Sequence, residues 1–404
     1  FPYSTGIYIP MEVNVNGTNE RRFDKVRTAF ENLWSDIEVG AALCVYEHGV
    51  PVIDLWGGFH DQDMSSPWQA NSLVNVYSTT KGMAAIAIAI LVDEQKLDYD
   101  APVADYWPEF AQAGKADVTI AQLLSHQAGL CGVDTKLEVE DLYDWEKMIR
   151  LLEQQTPMWP LGTGAGYHAV TWGYLPGELV RRVTGMTLGE FFNQRVAVPL
   201  QADCYIGLPE SEFARCASLI GPNRARKTSV DPGRSAADNP IEPIQKPKMS
   251  ALYAASLLNP SISPFKHACS DVWRKAEIAA SNGHASARGI SKIYAAMALG
   301  GELDGTKILS QATLDKANEI EVEGIEDKVL GGKIRRSRGF ILNTDHAYGP
   351  NLEAFGHAGA GGSLGFADPV TGIGFAYLMN QMQSDNSQLP RSQRLVNALY
   401  DCLT

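Results

Sequence analysis

The chain is 404 residues long, 45% hydrophobic and 20% charged, and carries a formal net charge of −13 at pH 7. Such a length accommodates two lobes or one large domain with an insertion, with enough apolar residues to bury a sizeable core. The acidic balance argues against a nucleic-acid backbone or an anionic membrane surface as partner.

At the start of the chain, residues 1–6 show neither a start Met nor a charged segment leading into an apolar one, so no signal peptide is expected. The sequon Asn16-Gly17-Thr18 means little without a secretory signal. Residues 20–34 mix charges with Phe23, Val26, Phe30 and Leu33 at helical spacing and predict an amphipathic helix. Two β-rich runs, 41–46 and 50–58, flank Glu47-His48-Gly49 and predict an antiparallel hairpin, with His48 and His60 solvated in or near it. The apolar run 82–92 is too short to span a bilayer and reads as a helix buried on all sides.

From about residue 82 to 280 the pattern is mainly helical. Thr119 and Gln122 form a capping box at the head of a short helix ended by Gly129. Further helices are predicted at 141–155, from Ala169 to Val183 with Gly185 as its stop, and at 188–196. Residues 159–166 are a Pro- and Gly-rich loop, and 221–248 read as a long surface loop that could wall a site. After a helix at 285–298, strands are predicted at 339–342, 354–357, 363–367 and 373–379, with a turn at 368–372 and a closing helix at 392–403. The expected architecture is α+β: an antiparallel sheet built from both chain ends (1–80 and 281–404), helices packed on it, and a mainly helical insertion (81–280), with the active site in the cleft between. Six scattered cysteines form no Cys-x-x-Cys pair, which points to free thiols in a reducing cytoplasm and to no metal or redox cofactor.

Ser78-Thr79-Thr80-Lys81 opens the buried helix. Residues i and i+3 share a helix face, so the lysine amine can reach the serine hydroxyl. A serine needs a neighbouring base to become a nucleophile, and a lysine serves if its pKa is lowered. The helix N-terminus offers backbone N–H groups for a developing oxyanion. Two more segments carry chemistry: Tyr167, after the Gly-rich loop, and His357-Ala358-Gly359-Ala360-Gly361-Gly362, between two predicted strands. No Gly-x-Ser-x-Gly elbow surrounds Ser78, which argues against an α/β-hydrolase. His126 and His168 read as structural, and Trp172, Trp159, Tyr46 and Phe366 are core aromatics that could also line an acyl pocket.

These motifs, in this order, resemble the serine β-lactamase and penicillin-binding protein superfamily, and most of all its class C β-lactamase-like carboxylesterases, the family VIII esterases. The resemblance runs from about residue 20 to the end and includes residues 123–130, 167–185 and 355–380. It implies that Ser78 is acylated, that Lys81 and Tyr167 move its proton, and that the amides of Ser78 and Ala360 form the oxyanion hole. Gly359 matches the glycine, and His357 the lysine, of the family's Lys-Thr-Gly motif. The family's Tyr-x-Asn is Tyr167-His168-Ala169 here, so Ala169 stands where an amide would hold a β-lactam side chain. A histidine anchors a carboxylate less well than a lysine, and Ala358 offers no hydroxyl. Both changes favour neutral carboxylic esters over β-lactams, which are admitted as a secondary substrate, and short acyl chains are expected because the sequence shows no large apolar lid. A β-lactamase, a D-amino-acid peptidase, an acyltransferase and an inactive penicillin-binding-like scaffold are the rival readings, and which of Lys81 and Tyr167 is the base stays open.

Overall fold

The computed structural model describes residues 13–35, 38–222, 250–383 and 390–403. The opening residues 1–6 and most of the proposed 221–248 loop lie outside them.

Strands β1 (Asn16–Asn19), β2 (Gly40–Glu47) and β3 (Val50–Gly58) come from the first part of the chain. Strands β4 (Ile341–Leu342), β5 (Phe355–Ala358), β6 (Leu364–Asp368) and β7 (Ile373–Met379) come from the last. They form one seven-stranded sheet in the order β1-β3-β2-β7-β6-β5-β4, every pairing antiparallel. The two chain ends meet where β2 pairs β7, with Leu43 opposite Tyr377. The β2–β3 hairpin closes through two residues, His48 (φ 48°) and Gly49 (φ 82°). Positive φ at both positions is the twist-compatible two-residue turn, and His48 is exposed there.

The helices that matter most are α1 (Asp24–Glu31), α2 (Thr80–Asp93), α3 (Tyr174–Thr184), α4 (Ala287–Ala298) and α5 (Arg391–Leu403). Helix α2 is buried continuously from Thr80 to Leu91, so any side chain at its head is deep in the protein. Helix α4 packs on β2, β6 and β7, and α5 packs against α1. The fully buried Arg391 at the head of α5 pairs with Glu38 at 2.7 Å, tying the closing helix to the start of β2. Gly374 permits the close approach of α4: a Cβ there would stand 2.3 Å from the Ala295 amide nitrogen and 2.5 Å from Ser291 O. Gly374→Ala is therefore expected to destabilise the fold by about 1–3 kcal/mol, read as a lower urea midpoint with an unchanged slope.

Several local expectations needed correction. The 20–34 helix is a single α segment, 24–31, with 3-10 turns on each side. The capping box of Thr119 and Gln122 is present, but its helix stops at Leu124, five residues before Gly129, and His126 (φ 68°) turns the chain. The 141–155 helix begins at Trp145, and the 188–196 helix breaks into a π turn at 193–197. Helix α3 follows a 3-10 turn and ends as expected at Gly185, with φ 74°. Strands also occur in the middle of the chain: Val74–Asn75, His284–Ala285 and Cys204–Tyr205 form a small sheet of their own. His60 is half-buried with its Nε2 against Ser72 Oγ, not solvated. All six cysteines are free. No helix among the described residues is long and apolar enough to cross a membrane.

Candidate active site

The small sheet and α2 together fix the Ser78 turn. Val76 N donates to Gly283 O (2.9 Å), and Gly283 N donates to Thr80 Oγ1 (2.9 Å). On the other side Ser363 Oγ donates to Val76 O (2.9 Å), which joins the turn to the β5–β6 connection. Between them Tyr77 is held at φ 44°, a left-handed conformation costly for a bulky residue, immediately before Ser78. Gly359 sits behind the site rather than in its wall. A Cβ at Gly359 would stand 2.2 Å from both Val76 O and Ser363 Oγ, so glycine lets the end of β5 close on the Ser78 turn.

Lys81 is wholly buried one turn below. Its Nζ donates to Ala169 O (2.8 Å) and Ala280 O (3.0 Å) and lies 3.3 Å from Ser78 Oγ. It also stands 4.8 Å from the centre of the Tyr167 ring and 6.0 Å from that of Trp172. Burial pushes the Lys81 amine well below the usual lysine range. A neutral amine has two N–H bonds and one lone pair. The two carbonyls take the N–H bonds, which leaves the lone pair for the Ser78 hydroxyl.

Tyr167 is buried, and burial pushes its phenol up to about 12, against an opposing pull from its hydrogen bond with Ser78. The lowered lysine favours its neutral amine and the raised tyrosine its neutral phenol. The Tyr167 backbone is clamped on both sides: Ser256 Oγ donates to Tyr167 O (2.6 Å), and Tyr167 N donates to Asp327 Oδ1 (3.2 Å).

His357 projects from β5 with its Nδ1 2.7 Å from Ala358 O, so Nδ1–H donates and Nε2 keeps its lone pair. Burial, then the neighbouring Lys81, pushes its pKa down to about 3. The position therefore offers a neutral ring and no charge to a substrate carboxylate. His126 and His168 are structural. Burial depresses both, His168 to about 3, and their ring nitrogens hold His168 N (3.0 Å), Leu130 N (2.9 Å) and Gly166 O (2.6 Å).

Ser78, Tyr167, Ala169, His357 and Ala360 open on one cavity of about 550 Å³, with Leu257, Ile262, Leu330, Ile334 and Ile341 among its apolar walls. Its aromatic wall is Tyr77, Tyr167 and Tyr348. Trp172, Trp159, Tyr46 and Phe366 take no part: Trp172 is buried under Lys81, Trp159 packs edge-on to His168, Phe366 stacks on Tyr348, and Tyr46 lines a different cavity. The amide of Ser78 lies in the first turn of a helix, where N–H groups lack intrahelical partners. The amide of Ala360 donates to no acceptor among the described residues, while the neighbouring Gly359 N donates to Ser363 O (2.8 Å). Among the described residues no cluster of His, Cys, Asp or Glu has a metal-holding arrangement. Asp327, Ser256, Arg336 and the carbonyls of Ala169 and Ala280 carry no motif in the sequence.

A family model described as Beta-lactamase matches residues 26–398. The chain therefore belongs to the Beta-lactamase family and has the serine β-lactamase-like fold. It is 34% identical over 378 residues to the protein named Esterase/beta-lactamase LipL of Mycobacterium tuberculosis, covering 92% of this chain and 84% of that one. A solved structure described as a family VIII carboxylesterase superposes with a TM-score of 0.87 at 44% identity, over 96% of this chain and 100% of that one. EstA from Arthrobacter nitroguajacolicus Rue61a superposes with a TM-score of 0.78 at 32% identity, over 95% and 97% of the two chains.

Proposed function

We propose that Ser78 is the acylated nucleophile of a carboxylesterase that cleaves short-chain carboxylic esters. The enzyme is a serine hydrolase of the β-lactamase fold. The observation that carries the reading is the buried Lys81 amine, bonded to two carbonyls and 3.3 Å from the Oγ of Ser78, a residue that lines a largely apolar cavity.

Lys81 takes the proton as Ser78 attacks the ester carbonyl. Tyr167, a neutral phenol bonded to Ser78, passes a proton to the departing alcohol and is recharged from Lys81. The amides of Ser78 and Ala360 hold the tetrahedral oxyanion. Water then attacks the acyl-enzyme with Lys81 again as base. Ala169, without a side-chain amide, and the depressed His357 do not supply at these two positions the amide and the cation that hold a β-lactam in the family, which favours neutral esters. The cavity draws its walls from both the sheet-forming chain ends and the 81–280 segment, which supports a cleft between two lobes.

The test sets p-nitrophenyl butyrate beside nitrocefin, for the wild type and Ser78→Ala. Ester turnover is expected to dominate and to fall by at least about 10³-fold in the variant. Nitrocefin as the better substrate would replace this reading with a β-lactamase. Butyrate ester formed in the presence of added alcohol, in place of free acid, would replace it with an acyltransferase.

A further inference from the structure

Resting on that reading of Tyr167 as the proton donor, we propose that Asp327 and Arg336 form a positioning pair that sets Tyr167 for protonating the leaving alcohol.

Asp327 is 4% exposed and lies 160 residues from Tyr167 in sequence. Its Oδ1 accepts from three backbone amides: Tyr167 (3.2 Å), Val329 (2.9 Å) and Leu330 (2.7 Å). Its Oδ2 pairs with the guanidinium of Arg336, which is 1% exposed. One carboxylate thus joins the tyrosine's main chain to the turn that supplies Leu330 to the cavity wall, and Arg336 lines the same cavity.

A second bond docks that segment to the loop before Tyr167: Lys328 N donates to Ala165 O (2.9 Å). Arg336 is fixed in turn by its backbone, which exchanges bonds with Val322 at 2.9 and 3.1 Å. The pair is therefore part of a braced segment rather than a surface contact. A buried charge pair is weak evidence for stability, because hydrophobic replacements often serve as well or better. One of the three amides at Asp327 is the tyrosine's, and the other two, those of Val329 and Leu330, fix the carboxylate in its own turn. Ser256 clamps the Tyr167 carbonyl, Asp327 clamps the amide, and the ring, packed against His126 and His357, faces the cavity and Ser78. A misplacement of about 1 Å at a reacting group can cost about 10²-fold in rate.

The leaving group separates positioning from mere structure. p-Nitrophenolate departs without a proton, whereas ethoxide requires one. With the acyl group held constant, kcat/KM is measured for p-nitrophenyl butyrate and ethyl butyrate in the wild type, Tyr167→Phe, Asp327→Ala, Asp327→Asn and the double variant Asp327→Ala/Arg336→Met. Asp327→Ala is expected to lose at least about tenfold more activity on the ethyl ester than on the p-nitrophenyl ester, following Tyr167→Phe. Asp327→Asn keeps an oxygen for the three amides and is expected to recover most of that difference. The double variant leaves no orphaned charge in the interior and carries the test if Asp327→Ala does not fold; it is expected to keep the selective loss. Equal losses on both esters in the Asp327 variants, with Tyr167→Phe selective, overturn the pair's role and leave the proposed mechanism standing. Equal losses in Tyr167→Phe overturn the tyrosine's role as acid, and the inference with it.

Discussion

Lys81→Met is expected to lower kcat/KM for p-nitrophenyl butyrate by about 10³-fold while the protein remains folded, because the proposed base is removed and the proposed nucleophile left in place. Three facts support the proposed role of the amine as base. It is fully buried, it has no carboxylate partner among the described residues, and the acceptors around it match the two N–H bonds of a neutral amine. A full ammonium charge held there without a counter-ion would cost several kcal/mol. Methionine fills a similar volume but leaves Ala169 O and Ala280 O without their donor, so a loss of about 1–3 kcal/mol of stability is expected. Lys81→Arg is expected to be as inactive as the methionine variant, since a guanidinium has no lone pair to offer at any working pH.

The same geometry fixes the direction of the pH profile. Activity should rise with pH through a Lys81 pKa well below the ordinary lysine value and fall where Tyr167 ionises, near 12. An acid limb centred near the ordinary lysine value, or a Lys81→Met variant within tenfold of wild type, would move the base role to Tyr167.

What the sequence makes legible follows from what kind of atom does the work. Ser78, Lys81 and Tyr167 are side-chain functions at characteristic spacings, so residue identity announces them, and the fold they imply is the one observed. The sheet from both chain ends was readable because β3 and β7 are long enough to show β-branched and aromatic runs between turns. The pairs Val74–Asn75, Cys204–Tyr205 and His284–Ala285 are two residues each, too short to carry a period, although they hold the Ser78 turn in place.

Backbone atoms are equally silent. The carbonyls of Ala169 and Ala280 that hold Lys81 belong to alanines, whose identity says nothing about their main chain. Ala169 read as a lost substrate contact, and its carbonyl turns out to be an acceptor for Lys81. Asp327 sits in an unremarkable polar stretch, and only the tertiary fold brings it to Tyr167. The four large aromatics considered for the acyl pocket illustrate the converse. Hydrophobicity predicts burial for Trp172 and Phe366, and cannot say which buried face borders a cavity.

Stability is expected to fall steeply as pH drops from 6.5 toward 4.5. His126, His168, His284 and His357 are all at most 4% exposed, and burial depresses each of them, the last three to about 3. In the unfolded chain these rings titrate near the ordinary histidine value of about 6.5. Between the two values the unfolded state binds more protons than the folded one, so stability is fully present above about pH 6.5 and is lost as pH falls through that window. Each such ring contributes a slope of about 1.4 kcal/mol per pH unit, and four acting together set an upper limit of roughly 5 kcal/mol per unit. Glu38 and Glu277 work the other way. Burial raises both carboxyls, so the folded state takes up their protons first and regains part of the loss at the acid end. The net effect is still downward, because four rings oppose two carboxyls. Urea melts at half-unit steps of pH measure it directly. His284→Asn, which does not line the catalytic cavity, should lower the plateau at pH 7 yet flatten the slope by about one proton. A wild-type midpoint that stays level between pH 6.5 and 5 would mean that these rings accept protons in the folded state, and the neutral reading of His357 would fall with them.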